Sequence, residues 1–186
     1  MKTRTLLTVA IALVLSVATA YAQNITFNTG NLWRVTDYRA HCAFPECAPQ
    51  RSPDVTFNVT GPGIRLNFDN SYPGSSLKVI DWLTHSPNRA VNIVGLPDIL
   101  NSDMSVWHEY GSIIVFTGSV TVRNGEMFTI SHDDYVYLQI GGTDTMLAFS
   151  AGVDQVTYNG PDGTFPYQLT YTECCGVDAR LIVTHN

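Results

Sequence analysis

Two adjacent carboxylates, Asp133 and Asp134, interrupt a run of alternating apolar and polar residues at Ser131-His132-Asp133-Asp134-Tyr135. Neighbouring acids repel one another and cannot both lose their water without compensation. A hard cation ringed by oxygens is the usual compensation, and calcium accepts irregular oxygen geometry better than magnesium. A solvated β-turn explains the same residues, and on spacing alone it is the plainer reading. A second acidic loop, Thr172-Glu173-Cys174-Cys175-Gly176-Val177-Asp178, brings further oxygens from Glu173 and Asp178. If the alternating stretches build one sandwich, this loop emerges at the same end as the Asp pair. His132, beside Asp133, could be a general base; in a loop it reads better as a surface or ligand-contact residue.

The cysteines sit in and around the same chemistry. All four, Cys42, Cys47, Cys174 and Cys175, follow the N-terminal leader described below, and an even count in an exported chain reads as two disulfides. Zinc competes, but C-x4-C with a distant adjacent pair is poor spacing for one tetrahedral ion. Local pairing, Cys42 with Cys47 and Cys174 with Cys175, is slightly favoured over crossed pairing that would tie the N-terminal loop to the last strands. A bond between adjacent cysteines closes a small ring and stiffens a turn. In both cases the cysteines are structural.

Catalysis finds little support. His41, His85, His108, His132 and His185 are scattered with no H-x-x-x-H pair, and no G-x-S-x-G, P-loop or dinucleotide fingerprint occurs. A glycosidase needs two carboxylates facing each other across the substrate, which sequence neighbours generally cannot do. Trp33, Trp82 and Trp107 could stack on sugar rings, but in a sandwich tryptophans are more often core. Asn24-Ile25-Thr26 and Asn58-Val59-Thr60 are glycosylation sequons that chance also produces.

The elements that must position these loops are strands. Ile113, Ile114, Val115 and Phe116 read as a buried strand, continued by Val120 and Val122 in alternation. Asn124-Gly125 predicts a two-residue hairpin, with Phe128 and Ile130 on the returning strand. Val136, Leu138 and Ile140 alternate up to a Gly141-Gly142 turn. Short strands follow at residues 146–149 and 156–158, then Tyr167, Leu169 and Tyr171 alternate, and residues 180–184 form a last strand. In the first half, residues 55–59 and 64–68 read as strands around Gly61-Pro62-Gly63. Leu77, Ile80, Trp82 and Leu83 fit either a short helix or a strand. Period two at such spacing predicts an all-β, antiparallel two-sheet β-sandwich.

The residues around the Asp pair carry a resemblance. Met127-Phe128-Thr129-Ile130-Ser131-His132-Asp133-Asp134, then Tyr137-Leu138-Gln139-Ile140-Gly141-Gly142, and the later stretch 166–183, are similar to the core of the protective-antigen-type (PA-fourteen) domain. That family is a β-sandwich found in bacterial toxins, glycosidases and yeast adhesins. In its lectin members an Asp–Asp pair joined by a cis peptide holds calcium, which helps to coordinate sugar hydroxyls. Carried over by position, the resemblance implies calcium ligands at Asp133, Asp134 and Glu173, with the carbonyls of Cys175 and Val177. It implies ligand contacts at His132, Asp133, Cys174 and Asp178. Tyr135 stands where the family usually has Gly, and the family's N-terminal Gly-Leu-x-x-x-Tyr-Tyr opening is absent. The His-Asp-Asp and Glu-Cys-Cys-Gly runs also resemble exported bacterial proteins of unassigned function, which would suggest a bacterial source.

The N-terminus predicts export. Lys2 and Arg4 precede an apolar stretch over residues 6–17, and Ala20-Tyr21-Ala22 offers a small-x-small cleavage signal. Residues 1–22 are thus expected to be a signal peptide, and residues 23–186 a single β-sandwich domain. Losing Lys2 and Arg4 takes the net charge from −6 to −8. That balance argues against nucleic acid and anionic membranes. No further long apolar run predicts membrane insertion. The expected protein is a secreted or periplasmic, non-catalytic module binding a glycan or another cell-surface component with calcium. The alternative is a structural or adhesive surface module with no small-ligand site.

Overall fold

The computed structural model describes residues 27–61, 63–71, 76–176 and 178–185. The expected signal peptide, the sequon at Asn24 and the candidate ligand Val177 lie outside them. Among the described residues eleven strands build two sheets. β1 (Phe27–Thr36), β2 (Val55–Thr60), β4 (Val91–Gly95), β5 (Tyr110–Val122), β7 (Val136–Ile140), β8 (Thr143–Ala148) and β10 (Gly163–Glu173) form the larger. Its order is β4-β2-β1-β5-β10-β7-β8. β3 (Leu66–Asp69), β6 (Met127–His132), β9 (Gly152–Thr157) and β11 (Arg180–His185) form the smaller, in the order β3-β11-β6-β9. The ladders are antiparallel. The expected all-β two-sheet sandwich is the fold observed.

Alternation sorts the side chains. Leu32, Phe57, Ile114, Phe116, Leu138, Leu169 and Tyr171 project from the larger sheet onto Phe68, Phe128, Ile130, Leu181 and Val183 of the smaller. Each such buried side chain contributes about 1.5–3 kcal/mol relative to exposure. The aromatic centre is Phe68, stacked 4.6 Å from Trp82 and lying 5.8 Å from Phe116. Trp82 belongs to a short helix, α2 (Val79–His85), which resolves the ambiguity over residues 77–83 in favour of helix. Its indole N–H donates to the Ala179 carbonyl at 3.0 Å, fastening the helix to the segment leading into β11.

The middle of the larger sheet is buried on both faces. The residues between its inward positions, Trp33 and Val35 on β1 and Ile113 and Val115 on β5, form a second apolar cluster with Ala40 and Cys174. The segment after β1 covers them: a helical turn, α1 (Asp37–Ala40), and the loop closed by a Cys42–Cys47 disulfide. Two-sided burial explains why residues 113–116 read as an unbroken apolar run. A third short helix, α3 (Pro97–Leu100), follows the edge strand β4.

One local expectation is corrected. Asn124-Gly125 does not close a hairpin: β5 lies in the larger sheet and β6 in the smaller, and they share no ladder. A two-residue hairpin turn of type I′ needs positive φ at both residues. Here Gly125 alone has it (φ 84°), with a hydrogen bond from Glu126 N–H to the Arg123 carbonyl, and the turn pairs with Tyr158 instead. Val120, Val122, Phe128 and Ile130 therefore meet across the sandwich rather than side by side. By contrast Gly141 and Gly142, with φ 62° and 79°, do join the paired strands β7 and β8.

Candidate functional site

Three chain crossings between the sheets lie next to one another at one end of the sandwich. Residues 133–135 carry the chain from β6 to β7, 149–151 from β8 to β9, and 174–179 from β10 to β11. Register proves the adjacency: His132 stands opposite Leu181 on one side and Gly152 on the other. Val136 stands opposite Tyr171 and Ala148. The Asp crossing is therefore the middle one, and the two acidic loops do share an end.

Hydrogen bonds tie the crossings together. Asp133 N–H donates to the Arg180 carbonyl at 3.0 Å, and Thr172 N–H to the Tyr135 carbonyl at 3.0 Å. Cys174 N–H donates to Asp134 Oδ2 at 2.5 Å. Burial raises the Asp134 carboxyl to about 6, and repulsion from Asp133 adds to it, while the Cys174 N–H pulls down. Burial also raises Asp133, followed by repulsion from Asp178, whose own backbone N–H hydrogen-bonds Asp133 and opposes the rise. Burial first, and like charge after it, disfavours the ionised form of both carboxyls here.

The candidate residues divide by depth. Asp133 and Asp134 are half-buried and Asp178 is exposed. Glu173 is not at the surface: it is 0% exposed. Its Oε2 accepts from the Tyr171 hydroxyl at 2.5 Å and its Oε1 from the Ser105 hydroxyl at 3.2 Å. Burial, then repulsion from Asp134, holds its carboxyl well above the usual carboxylate range. His132 is likewise 0% exposed, which corrects its reading as a ligand contact. It occupies the inward parity of Phe128 and Ile130, with Nδ1 2.6 Å from the Asp134 carbonyl and Nε2 2.8 Å from Asp154 Oδ2. Cys174 is buried too, in the cluster outside the larger sheet, and pairs with Cys175, as local pairing predicts. Among the described residues no peptide bond is cis, so the Asp133–Asp134 link is trans, against what the resemblance implied.

These positions decide which residues suit a cation. The side-chain donors of Asp133, Asp134 and Glu173 do not meet: among the described residues the group within 4.8 Å of one another is His41, Cys174 and Cys175. Glu173 does not fit as a direct ligand, because both its oxygens are taken and no water reaches it. Asp133 and Asp134 fit, as hard oxygen donors near the surface. Their donor set is all oxygen, and the Cys175 carbonyl lies on the neighbouring crossing.

Other residues that the sequence did not place here gather at this end. Ser105 links Glu173 to Gly176, whose N–H donates to its hydroxyl at 2.9 Å. Trp107, expected in the core, is 59% exposed at a turn where Val106 pairs with Tyr110. Phe149 is 55% exposed on the 149–151 crossing, edge-on to Tyr135 at 6.1 Å, and His41 lies 5.8 Å beyond Tyr135. An aromatic rim thus borders the acidic loops. Trp33 and Trp82 are buried, as expected.

No protein-family model matches the chain, and no curated protein matches it. Among solved structures it is similar to a PA14 sugar-binding domain from an RTX adhesin, with TM-score 0.50 and 17% identity over 87% of this chain and 90% of that one. It also aligns with the PA14 domain of the antifreeze protein MpAFP, at TM-score 0.47 and 14% identity over 85% and 79%. A third alignment is with the epithelial adhesin 9 A domain of Candida glabrata, solved with Galβ1-3GlcNAc, at TM-score 0.42 and 12% identity over 87% and 81%. Identities this low speak for the fold alone. Two antiparallel sheets, and a likeness to the RTX adhesin domain along nearly nine-tenths of the chain, give this protein the fold of a PA14-type β-sandwich.

Proposed function

We propose that this chain is a secreted, non-catalytic module that binds glycan through a calcium ion held at Asp133 and Asp134. The observation that carries the reading is the middle crossing itself. Two adjacent carboxylates are held half-buried at the end where both acidic loops meet, with Asp134 pushed up to about 6 by burial and like charge. A cation relieves that repulsion and, when bound, offers open coordination positions to vicinal sugar hydroxyls. The Cys175 and Val177 carbonyls are the candidates that the family resemblance adds to the oxygen set, with the exposed Asp178 beside them in sequence. Glu173 supports the loop from beneath, through Tyr171 and Ser105, rather than touching the ion. The related fold named for sugar binding in an RTX adhesin supports the substrate class, and two disulfides suit an oxidising, exported setting. No helix among the described residues is long and apolar enough to cross a membrane.

Calorimetric titration of calcium into residues 23–186 tests the metal. Heat of binding that disappears with Asp133→Ala and Asp134→Asn is expected; no heat from the folded protein removes calcium from the reading. A glycan array with and without chelator tests the ligand.

A second reading is an adhesive module acting through protein contacts with no ion. The exposed Trp107 and Phe149 favour it, as does the failure of Glu173 to reach the Asp pair. Cell association that persists in chelator, with an empty glycan array, is its signature.

A further inference from the structure

We propose that His41, Cys174 and Cys175 form a reduction-gated site for copper(I), on the second acidic loop beside Asp134 but built from sulfur and imidazole donors rather than carboxylates. The covering segment after β1 brings His41 over the β10–β11 crossing. One imidazole nitrogen and the two sulfurs lie within 4.8 Å of one another, and His41 Nε2 is 3.9 Å from Cys175 Sγ. Donors bonded at about 2.0–2.3 Å to one ion sit no more than about 4.6 Å apart, so small side-chain movements suffice.

The imidazole is already oriented for this. Its Nδ1 faces the Tyr135 hydroxyl at 3.4 Å. In the tautomer that carries its proton on Nδ1 the Nε2 lone pair faces the sulfurs, and metal at Nε2 selects that tautomer, with the Tyr135 hydroxyl as its outer hydrogen-bond partner. The Asp37 carboxylate, 3.7 Å from Nε2, adds negative charge nearby. The sulfurs are held as well: Cys174 is anchored by its N–H to Asp134, and Cys175 takes a left-handed backbone with φ 68°.

Sulfurs bonded to each other are poor ligands, so the pair must first be reduced. A dithiol reductant gives two electrons and two protons, the Cys174–Cys175 bond breaks into two thiols, and the reductant leaves as its own disulfide. Copper(I) then displaces both thiol protons to solvent. Two thiolates are soft donors and imidazole also binds copper, so three such donors suit copper(I), whereas structural zinc takes four. The sequence argument against zinc at adjacent cysteines therefore does not apply to this ion, and the third donor comes from a residue far away in the chain.

The experiment uses residues 23–186 with Cys42→Ser and Cys47→Ser, so that only the adjacent pair remains. The protein is reduced without oxygen, freed of reductant, and titrated with copper(I) against a coloured copper(I) chelator. One copper per reduced chain is expected, with ultraviolet thiolate-to-copper absorption, and none per oxidised chain. His41→Ala, at an exposed position, should weaken binding about tenfold or more. Equal uptake by oxidised and reduced protein overturns the proposal, as does unchanged affinity in His41→Ala. If the double serine variant fails to fold, the four-cysteine chain decides: Cys174→Ser with Cys175→Ser must lose the copper that the unsubstituted protein takes.

Discussion

Replacing Glu173 separates support from coordination at the acidic end. The side chain is sealed from solvent, and its two oxygens accept from Tyr171 and Ser105 at 2.5 and 3.2 Å. Burial, then repulsion from the neighbouring Asp134, favours its protonated form. Glu173→Gln keeps the length and an acceptor oxygen, and its amide N–H can donate to a hydroxyl that turns to accept. The expected cost is within about 1 kcal/mol. Glu173→Ala instead strands two buried hydroxyls at about 1–3 kcal/mol each, and a total loss of about 3–5 kcal/mol is expected. Urea unfolding at pH 7.5 without calcium reads both. Calorimetry on the folded variants then reads the ion: Glu173→Gln should leave calcium affinity within about threefold, while Asp134→Asn should lower it roughly tenfold or more. Equal destabilisation by Gln and Ala would refute the supporting role of the two hydroxyl bonds. Loss of calcium binding in a stable Glu173→Gln protein would restore Glu173 as a ligand.

Three further outcomes follow from the geometry. Asp134 holds its proton to about pH 6 in the folded, cation-free protein against an ordinary value of 3.8. Its contribution to stability is therefore full below pH 3.8 and is lost as pH rises through 6. After allowance for partial exposure this is about 1–2 kcal/mol, read by urea midpoints at several pH values, and Asp134→Asn should flatten that slope. A methyl group at Gly111 would meet Ala40 Cβ and the Glu173 carbonyl oxygen, each at 2.4 Å. Gly111→Ala should cost about 2–4 kcal/mol in thermal or chemical unfolding, because backbone rather than a flexible side chain must move. Opening the Cys42–Cys47 loop with paired serines should cost about 2 kcal/mol for so short a closure, with no change in calcium titration.

Strands whose residue types alternate announced themselves, because Val136, Leu138 and Ile140, and Tyr167, Leu169 and Tyr171, recur with a period of two between more polar residues. Strand β1 was missed: Gly30, two Asn and Arg34 break its pattern, and Trp33 and Val35 face the covering segment rather than the core. Edge strand β4 was missed because none of its five residues is buried. The supposed hairpin at Asn124-Gly125 failed for a general reason: alternation along one strand is the same whether its neighbour lies beside it or across the core. Depth at the site was nonetheless countable. Parity from Phe128 and Ile130 places His132 inward, and parity from Leu169 and Tyr171 does the same for Glu173. The contributions of Ser105, Trp107 and His41 had no local signal, since loops and a covering segment far away in sequence bring them there.

Layers of a sandwich meet only through side chains and can in principle slide over one another. At this end three neighbouring stretches of backbone stitch them, and the stitches are cross-tied at Asp133, Asp134 and Thr172. Under the proposed binding role, a partner gripped there would sit on the seam itself, so tension that shears one layer past the other would deform its seat directly and couple mechanical load to occupancy through the same few bonds.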